Sequence, residues 1–248
     1  MKKQFYSILI TALCSAIALA DWPQFQGPNR DGTSSESGLL RSFPKEGPRI
    51  IWEKSLEQGF GGCAVDGNDL FVVDRVAKTK DMLICLDATT GKERWRYESP
   101  SEGEPSFPGS RSVPTVRKDA VYFIGSFGRV HCVDRATRKA RWQIKMSERY
   151  PDAETPKWGN AQCALVIDDI VVVTPFGSET GVAAWHRNTG KEVWRSGPIG
   201  NSHSSPTLLE IAGEQLDPEN EQDNADCNLI ADEPHPDFET QNPDFFHD

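Results

Sequence analysis

Short apolar runs separated by turn residues recur along the chain at a nearly constant interval. Leu70-Phe71-Val72-Val73, Val121-Tyr122-Phe123-Ile124 and Ile170-Val171-Val172-Val173 are β-branched or aromatic and bounded by polar turns, the pattern of strands buried within a sheet. Each run follows an aligned segment: GFGGCAVDGNDLFVV from Gly59, GSRSVPTVRKDAVYF from Gly109 and GNAQCALVIDDIVVV from Gly159, with the glycines and Asp69, Asp119 and Asp169 spaced by 50 residues. A second block closes each unit, at Trp95, Trp142 and Trp194, spaced by 47 and 52 residues. Three or four strands per unit of this length is the scale of one propeller blade. No stretch has convincing helical periodicity, so the pattern predicts an all-β chain: three four-stranded antiparallel blades over about 58–97, 108–144 and 158–196, an incomplete β-propeller.

Turn chemistry supports this register. Thr90-Gly91 and Thr189-Gly190 are expected to turn the third strand into the fourth, because glycine takes positive φ without steric cost. Arg138 stands at the matching place in the second unit, so keeping the turn there strains it by about 1 kcal/mol. One tryptophan per blade at a fixed position is expected to staple adjacent sheets; an aromatic binding surface is the lesser reading of Trp95, Trp142 and Trp194. Trp52 resembles a fourth copy lacking its first three strands, able to close a ring, and Ser204-Ser205-Pro206-Thr207 resembles Ser112-Val113-Pro114-Thr115, the entry to a further blade.

The ends differ from this body. Lys2 and Lys3, an apolar run and Ala18-Leu19-Ala20 form a secretory signal with a small-residue cleavage site, which places the mature chain in the periplasm or outside the cell with no membrane span left. From Glu214 onward there are twelve acidic residues and no Lys or Arg, leaving 25 of each sign over residues 21–213. A neutral body with an acidic tail offers no footprint for nucleic acid. The organisation is therefore a signal peptide at 1–20, a lead-in at 21–57, propeller repeats at 58–213 and an acidic tail at 214–248 too poor in apolar residues to order itself.

Export favours disulfides, yet the cysteines are placed against them. Cys85 and Cys132 are equivalent in neighbouring sheets about 10 Å apart, while a disulfide needs Cα atoms within roughly 7 Å. Cys63 and Cys163 are equivalent across a whole blade, so these four are expected as buried free thiols, with Cys227 on the tail. His131, His186, His203, His235 and His247 lack zinc spacing, and no serine-hydrolase elbow, P-loop or dinucleotide fingerprint occurs.

L-D-A-T-T-G-K-E-R-W at 86–95 and N-T-G-K-E-V-W at 188–194 resemble the tryptophan-docking motif of pyrroloquinoline quinone (PQQ)-like β-propeller repeat proteins, and D-W-P-Q-F-Q-G-P-N-R-D-G at 21–32 is similar to the start of many exported members. The resemblance implies one of two roles. One is a quinoprotein dehydrogenase for an alcohol or polyol, with PQQ on the axis, calcium, an aspartate base and an adjacent cysteine pair; the other is a non-catalytic propeller that binds proteins. No adjacent cysteine pair exists here, so no catalytic residue or metal ligand is carried over and no cofactor is expected, PQQ with calcium belonging to the dehydrogenase alternative. The preferred expectation is a scaffold binding an envelope protein or polymer. Two long linkers, Glu98–Ser112 and Met146–Gln162, enter successive blades from one end, and long loops on a rigid scaffold are favoured binding places. They nominate Arg111, Trp158 and His203 as contacts. Open blade edges also allow self-association.

Overall fold

A computed structural model describes residues 21–57, 59–76 and 78–208; the signal and the acidic tail, with Cys227, lie outside the described residues. The alternating runs pair into three four-stranded antiparallel sheets. Blade 1 contains β1 (Cys63–Asp66), β2 (Asp69–Val76), β3 (Lys80–Asp87) and β4 (Glu93–Pro100). Blade 2 contains β5 (Thr115–Val116), β6 (Ala120–Ile124), β7 (Arg129–Asp134) and β8 (Ala140–Lys145). A short helix, α1 (Met146–Arg149), precedes blade 3, which contains β9 (Leu165–Ile167), β10 (Ile170–Val173), β11 (Ala183–His186) and β12 (Glu192–Arg195). The predicted propeller repeat is thus present in all three units.

Burial explains why the middle strands are apolar on both faces. Phe71, Val73, Leu83 and Cys85 of blade 1 pack with Val121, Phe123 and Val133 of blade 2. Tyr122, Ile124 and Cys132 pack with Val171, Val173 and Trp185 of blade 3. Successive side chains of one strand therefore serve two different interfaces, which removes the polar alternation of a sheet with one wet face. The fourth strands form the outer perimeter and are mostly exposed or half-buried.

The hairpins between third and fourth strands share one geometry. Gly91, Arg138 and Gly190 have φ of 68°, 61° and 67°, and each amide donates 2.8 Å to the carbonyl of the residue four positions earlier, Asp87, Asp134 or His186. The Asp87 and Asp134 carboxylates accept the next turn amides, and His186 Nδ1 accepts from Asn188 N–H at 3.2 Å, so the histidine substitutes for the aspartate within the turn. Arg138 holds the left-handed conformation expected of a glycine.

The tryptophans occupy matching registers: Trp95 opposite Cys85, Trp142 opposite Cys132 and Trp194 opposite Ala184, each preceded in its own strand by a bulged residue, Arg94, Arg141 or Val193. Trp52 Nε1 donates 2.9 Å to the Ala88 carbonyl, and Trp142 Nε1 donates 2.8 Å to the Arg187 carbonyl. The ring lies against the receiving blade's turn glycine, where a Cβ on Gly91 would stand 2.5 Å from Trp52 and one on Gly190 3.1 Å from Trp142. Trp95 makes no such bond among the described residues, and the turn it faces carries the Arg138 Cβ.

Two sequence expectations are corrected. The absence of helical periodicity missed α1, a single turn that Met146 and Tyr150 anchor in the core: Tyr150 hydroxyl donates to Glu192 at 2.5 Å and accepts from Trp185 Nε1 at 2.8 Å. Four residues are too few for periodicity to register. Cys63 is exposed, whereas Cys85, Cys132 and Cys163 are buried; all four are free. Cys163 Sγ accepts the Val113 amide of the preceding blade at 3.1 Å. No blade precedes Cys63 among the described residues.

Candidate functional site at the blade axis

Residues 21–32 seal the inner edges of the blades. Trp22 exchanges two backbone bonds with Val65, Pro23 accepts from Val116 N–H at 2.7 Å, and Arg30 donates to the Cys163, Ala164 and Pro206 carbonyls. Arg30 is buried with no carboxylate in ion-pair range among the described residues. Its charge is solvated by carbonyl dipoles, and burial lowers its pKa.

Above this floor opens a cleft of about 680 Å³ lined by Phe25, Phe60, Cys63, Arg111, Cys163, His203 and Ser205 among others. Among the described residues, no Asp or Glu lines it. Arg111 is fixed by donating to the Gly109 carbonyl at 3.1 Å and to the Phe107 carbonyl, and its guanidinium lies 5.7 Å from the Phe60 ring centroid. It forms no ion pair among the described residues. Trp158 stacks on His203 with centroids 5.0 Å apart, and meets Phe107 edge-on at 6.4 Å; Phe107 meets Phe60 likewise at 6.4 Å. Phe60, Phe107 and Trp158 remain 69%, 46% and 41% exposed, an apolar rim that solvent alone does not favour. Burial and the nearby Arg111 cation hold His203 below its ordinary pKa, leaving it neutral near pH 7.

The linkers that carry this rim are anchored. Arg75 reaches across to the Ser101 and Gly103 carbonyls at 2.7 Å each while pairing with buried Asp81 at 2.7 Å, and Tyr150 fixes the second linker. Ser106 of one linker bonds Lys157 of the other at 2.7 Å. The structure therefore brings Arg111, Trp158 and His203, separated by up to 92 positions in sequence, to one cleft. Sequence reasoning missed Phe60 and Phe107. Phe60 lay beside the glycines of the first repeat, but nothing local marked either as exposed.

A second cleft, of about 850 Å³, lies at the other end of the blade junctions. Its charges are largely committed to each other: Arg135 pairs with Asp66 and Asp69, and Arg141 with Asp119 and Asp134. The Thr137 amide and then the Arg141 pairing lower the Asp134 pKa to about 2. This cleft reads as the electrostatic seam between blades.

Calcium takes oxygen ligands, predominantly carboxylates. The axial cleft supplies none, and no group of three His, Cys, Asp or Glu among the described residues is placed to hold a metal ion. No helix among the described residues is long and apolar enough to cross a membrane.

Comparison with known proteins agrees with the fold. Residues 36–126 and 126–212 each match the PQQ-repeat family described as outer membrane protein assembly factor BamB. The chain is 29% identical over 178 residues to the alcohol dehydrogenase (quinone), dehydrogenase subunit, of Gluconacetobacter polyoxogenes, covering 64% of this chain and 22% of that protein. The quinohemoprotein alcohol dehydrogenase of Comamonas testosteroni superposes with a TM-score of 0.55 at 18% identity, over 73% of this chain and 27% of that one. BamB of Moraxella catarrhalis superposes at 0.38 and 22% identity, over 56% and 36%. The chain thus spans about a fifth to a third of these relatives' lengths, and such structural likeness carries the fold alone. With the repeat matched from residue 36 to 212 and three blades stacked through their tryptophans, the chain belongs to the PQQ-repeat β-propeller family.

Proposed function

We propose that the chain is an exported, non-catalytic propeller scaffold that binds a protein or polymer of the cell envelope through the axial cleft. The observation that carries this reading is Arg111, which among the described residues has no ion-pair partner and no carboxylate in its cleft, beside exposed Phe60 and the Trp158–His203 stack. A guanidinium flanked by aromatic faces suits an anionic group attached to a planar or apolar body. Rigid aromatic surface and Arg are also the residues that dominate protein recognition. His203, neutral and buried on one side by Trp158, orients the stack.

The test is a photo-crosslinking residue at position 158 of the exported protein, exposed to an envelope extract. One discrete adduct is expected, and Arg111→Ala should reduce its yield at least tenfold. Adducts insensitive to Arg111 would refute the assignment of the cleft.

The second reading is a quinoprotein dehydrogenase or part of one, favoured by the 29% identity to an alcohol dehydrogenase (quinone) subunit. Adding PQQ and calcium to the purified chain separates the two. A scaffold gives no bound quinone absorption and no dye-linked oxidation of alcohols or polyols.

A further inference from the structure

The cations of the axial cleft meet no counter-charge among the described residues. Burial lowers the Arg111 pKa, and no carboxylate there raises it again. Beneath the cleft, the buried Arg30 guanidinium likewise meets only carbonyls. Around Arg111 the rings of Phe60, Phe107 and Trp158 run edge to face and stay exposed. A ligand that suits this surface carries a carboxylate beside an aromatic ring: the carboxylate pairs with the guanidinium, and the ring extends the edge-to-face series.

The chain itself encodes that combination. Pro236-Asp237-Phe238 and Pro243-Asp244-Phe245 recur seven positions apart, and Phe246 follows the second. Phe238, Phe245 and Phe246 are the only Phe, Tyr or Trp after Leu208, and each lies within two positions of an aspartate. The body is balanced in charge, whereas the twelve acidic residues from Glu214 onward have no Lys or Arg in their own segment. Surplus acid in the tail and uncommitted cation in the cleft are complementary.

The tail also departs from the cleft wall. Ser204, Ser205 and Thr207 line the cleft, and Arg30 donates to the Pro206 carbonyl at 3.0 Å, which fixes the chain at the cleft margin. Asp237 follows Leu208 by 29 positions. A chain of that length spans up to about 100 Å, ten times the roughly 10 Å between stacked sheets, so reach is not limiting. A tethered segment meets such a site at an effective concentration on the order of a millimolar. Contacts too weak to hold a free ligand then suffice.

We infer that the axial cleft is occupied by the chain's own acidic and aromatic segment, residues 236–246, with Asp237 or Asp244 on Arg111 and the following phenylalanine against Phe60 and Phe107. Resting on the reading of this cleft as the binding surface, the inference adds the chemistry of its occupant and a means of regulation. An envelope partner enters with an equivalent carboxylate and aromatic pair, and must displace the tail to do so.

A benzophenone amino acid at position 107 of the purified exported chain, irradiated alone, tests the occupancy. The expected product is an intramolecular adduct with residues 232–248, located by mass spectrometry. Its yield should fall at least fivefold in Asp237→Asn/Asp244→Asn, in Arg111→Ala and in about 1 M salt. The two asparagines lie outside the blades, so the melting temperature should not change. An absent tail adduct, or one insensitive to these changes, overturns the inference. Adducts joining isotope-labelled to unlabelled chains would assign the cleft to a second copy and overturn it too.

A fluorescein-labelled peptide of residues 232–248 gives a measurement independent of the crosslinker. It should bind Asp237→Asn/Asp244→Asn, whose cleft is open, at least tenfold more tightly than the unaltered chain, and adding Arg111→Ala should abolish the gain. Equal binding to both chains refutes tail occupancy. Envelope extract separates that failure from failure of the cleft itself. An Arg111-dependent adduct at position 158 that forms equally in the parent and in Asp237→Asn/Asp244→Asn keeps the cleft as the binding surface and overturns the tail as its occupant. No Arg111-dependent adduct in either chain overturns the reading of the cleft.

Discussion

Trp142 spans the boundary between the second and third blades, donating its indole N–H to the Arg187 carbonyl at 2.8 Å while its ring lies over Gly190 and edge-on to Trp185 at 6.0 Å. Two sheets are thereby joined by one side chain. Trp142 is partly buried, so Trp142→Ala should cost about 2–4 kcal/mol, at or below the range for removing a fully buried aromatic. Trp142→Phe should cost about 1–3 kcal/mol, mainly from the stranded carbonyl. Chemical denaturation of the two variants distinguishes packing from hydrogen bonding.

The turn residue that receives the tryptophan sets a second expectation. Arg138 has φ of 61°, so Arg138→Gly should raise stability by about 1 kcal/mol through relief of the left-handed conformation. The reverse change is worse than strain alone. A Cβ at Gly190 would sit 2.9 Å from Ile144 and 3.1 Å from Trp142, so Gly190→Ala should cost more than Arg138→Gly gains. Melting curves showing opposite signs for the two substitutions check the shared turn geometry.

Arg75 and Asp81 are both essentially excluded from solvent. Breaking the pair by Asp81→Asn leaves a buried cation uncompensated and should cost about 3–5 kcal/mol. Arg75 also holds Ser101 and Gly103, so limited proteolysis should cut the Glu98–Ser112 linker first in this variant. Loss of stability with an unchanged cleavage pattern would argue against the anchoring role.

His131 is fully buried, stacked on Phe123 at 4.3 Å with Tyr97 at its edge. Burial first, then the Arg129 cation, lowers its pKa to about 3. The group binds its proton more readily in the unfolded chain, so its neutral form supports the fold fully above the unfolded pKa near 6.5. That contribution is lost as pH falls from about 6.5 toward 3, by at most about 1.4 kcal/mol per pH unit. Melting temperature should decline between pH 6.5 and 4.5 in the parent and distinctly less in His131→Phe.

The thiols divide by exposure. Burial pushes Cys85 up to about 12 and Cys132 up to about 11, so neither forms much thiolate at pH 8 and both should resist alkylation until the protein unfolds. Cys63 faces the cleft and should react in the native state. Cys63→Ser should lower the native thiol count by one, whereas Cys85→Ser should change only the denatured count.

The sequence by itself determined the blade repeat, the strand order within each blade, the third-to-fourth-strand hairpins and the place of each tryptophan. These are local properties: short apolar, β-branched runs, residues tolerant of positive φ and one aromatic per unit leave marks within about 50 residues. Even the strain at Arg138 was legible, because its neighbours carry glycine in the same frame. Only the tertiary structure decided what separate blades bring together. Phe60, Phe107, Arg111, Trp158 and His203 meet because inner strands converge on an axis, a relation no single segment encodes. The same dependence separates Cys63 from Cys163, identical in the repeat but different in burial, since the Val113 amide covers one and no preceding blade among the described residues covers the other. It also separates Trp142, whose indole N–H finds the Arg187 carbonyl, from Trp95, which shares the motif and faces a blade yet makes no such bond among the described residues.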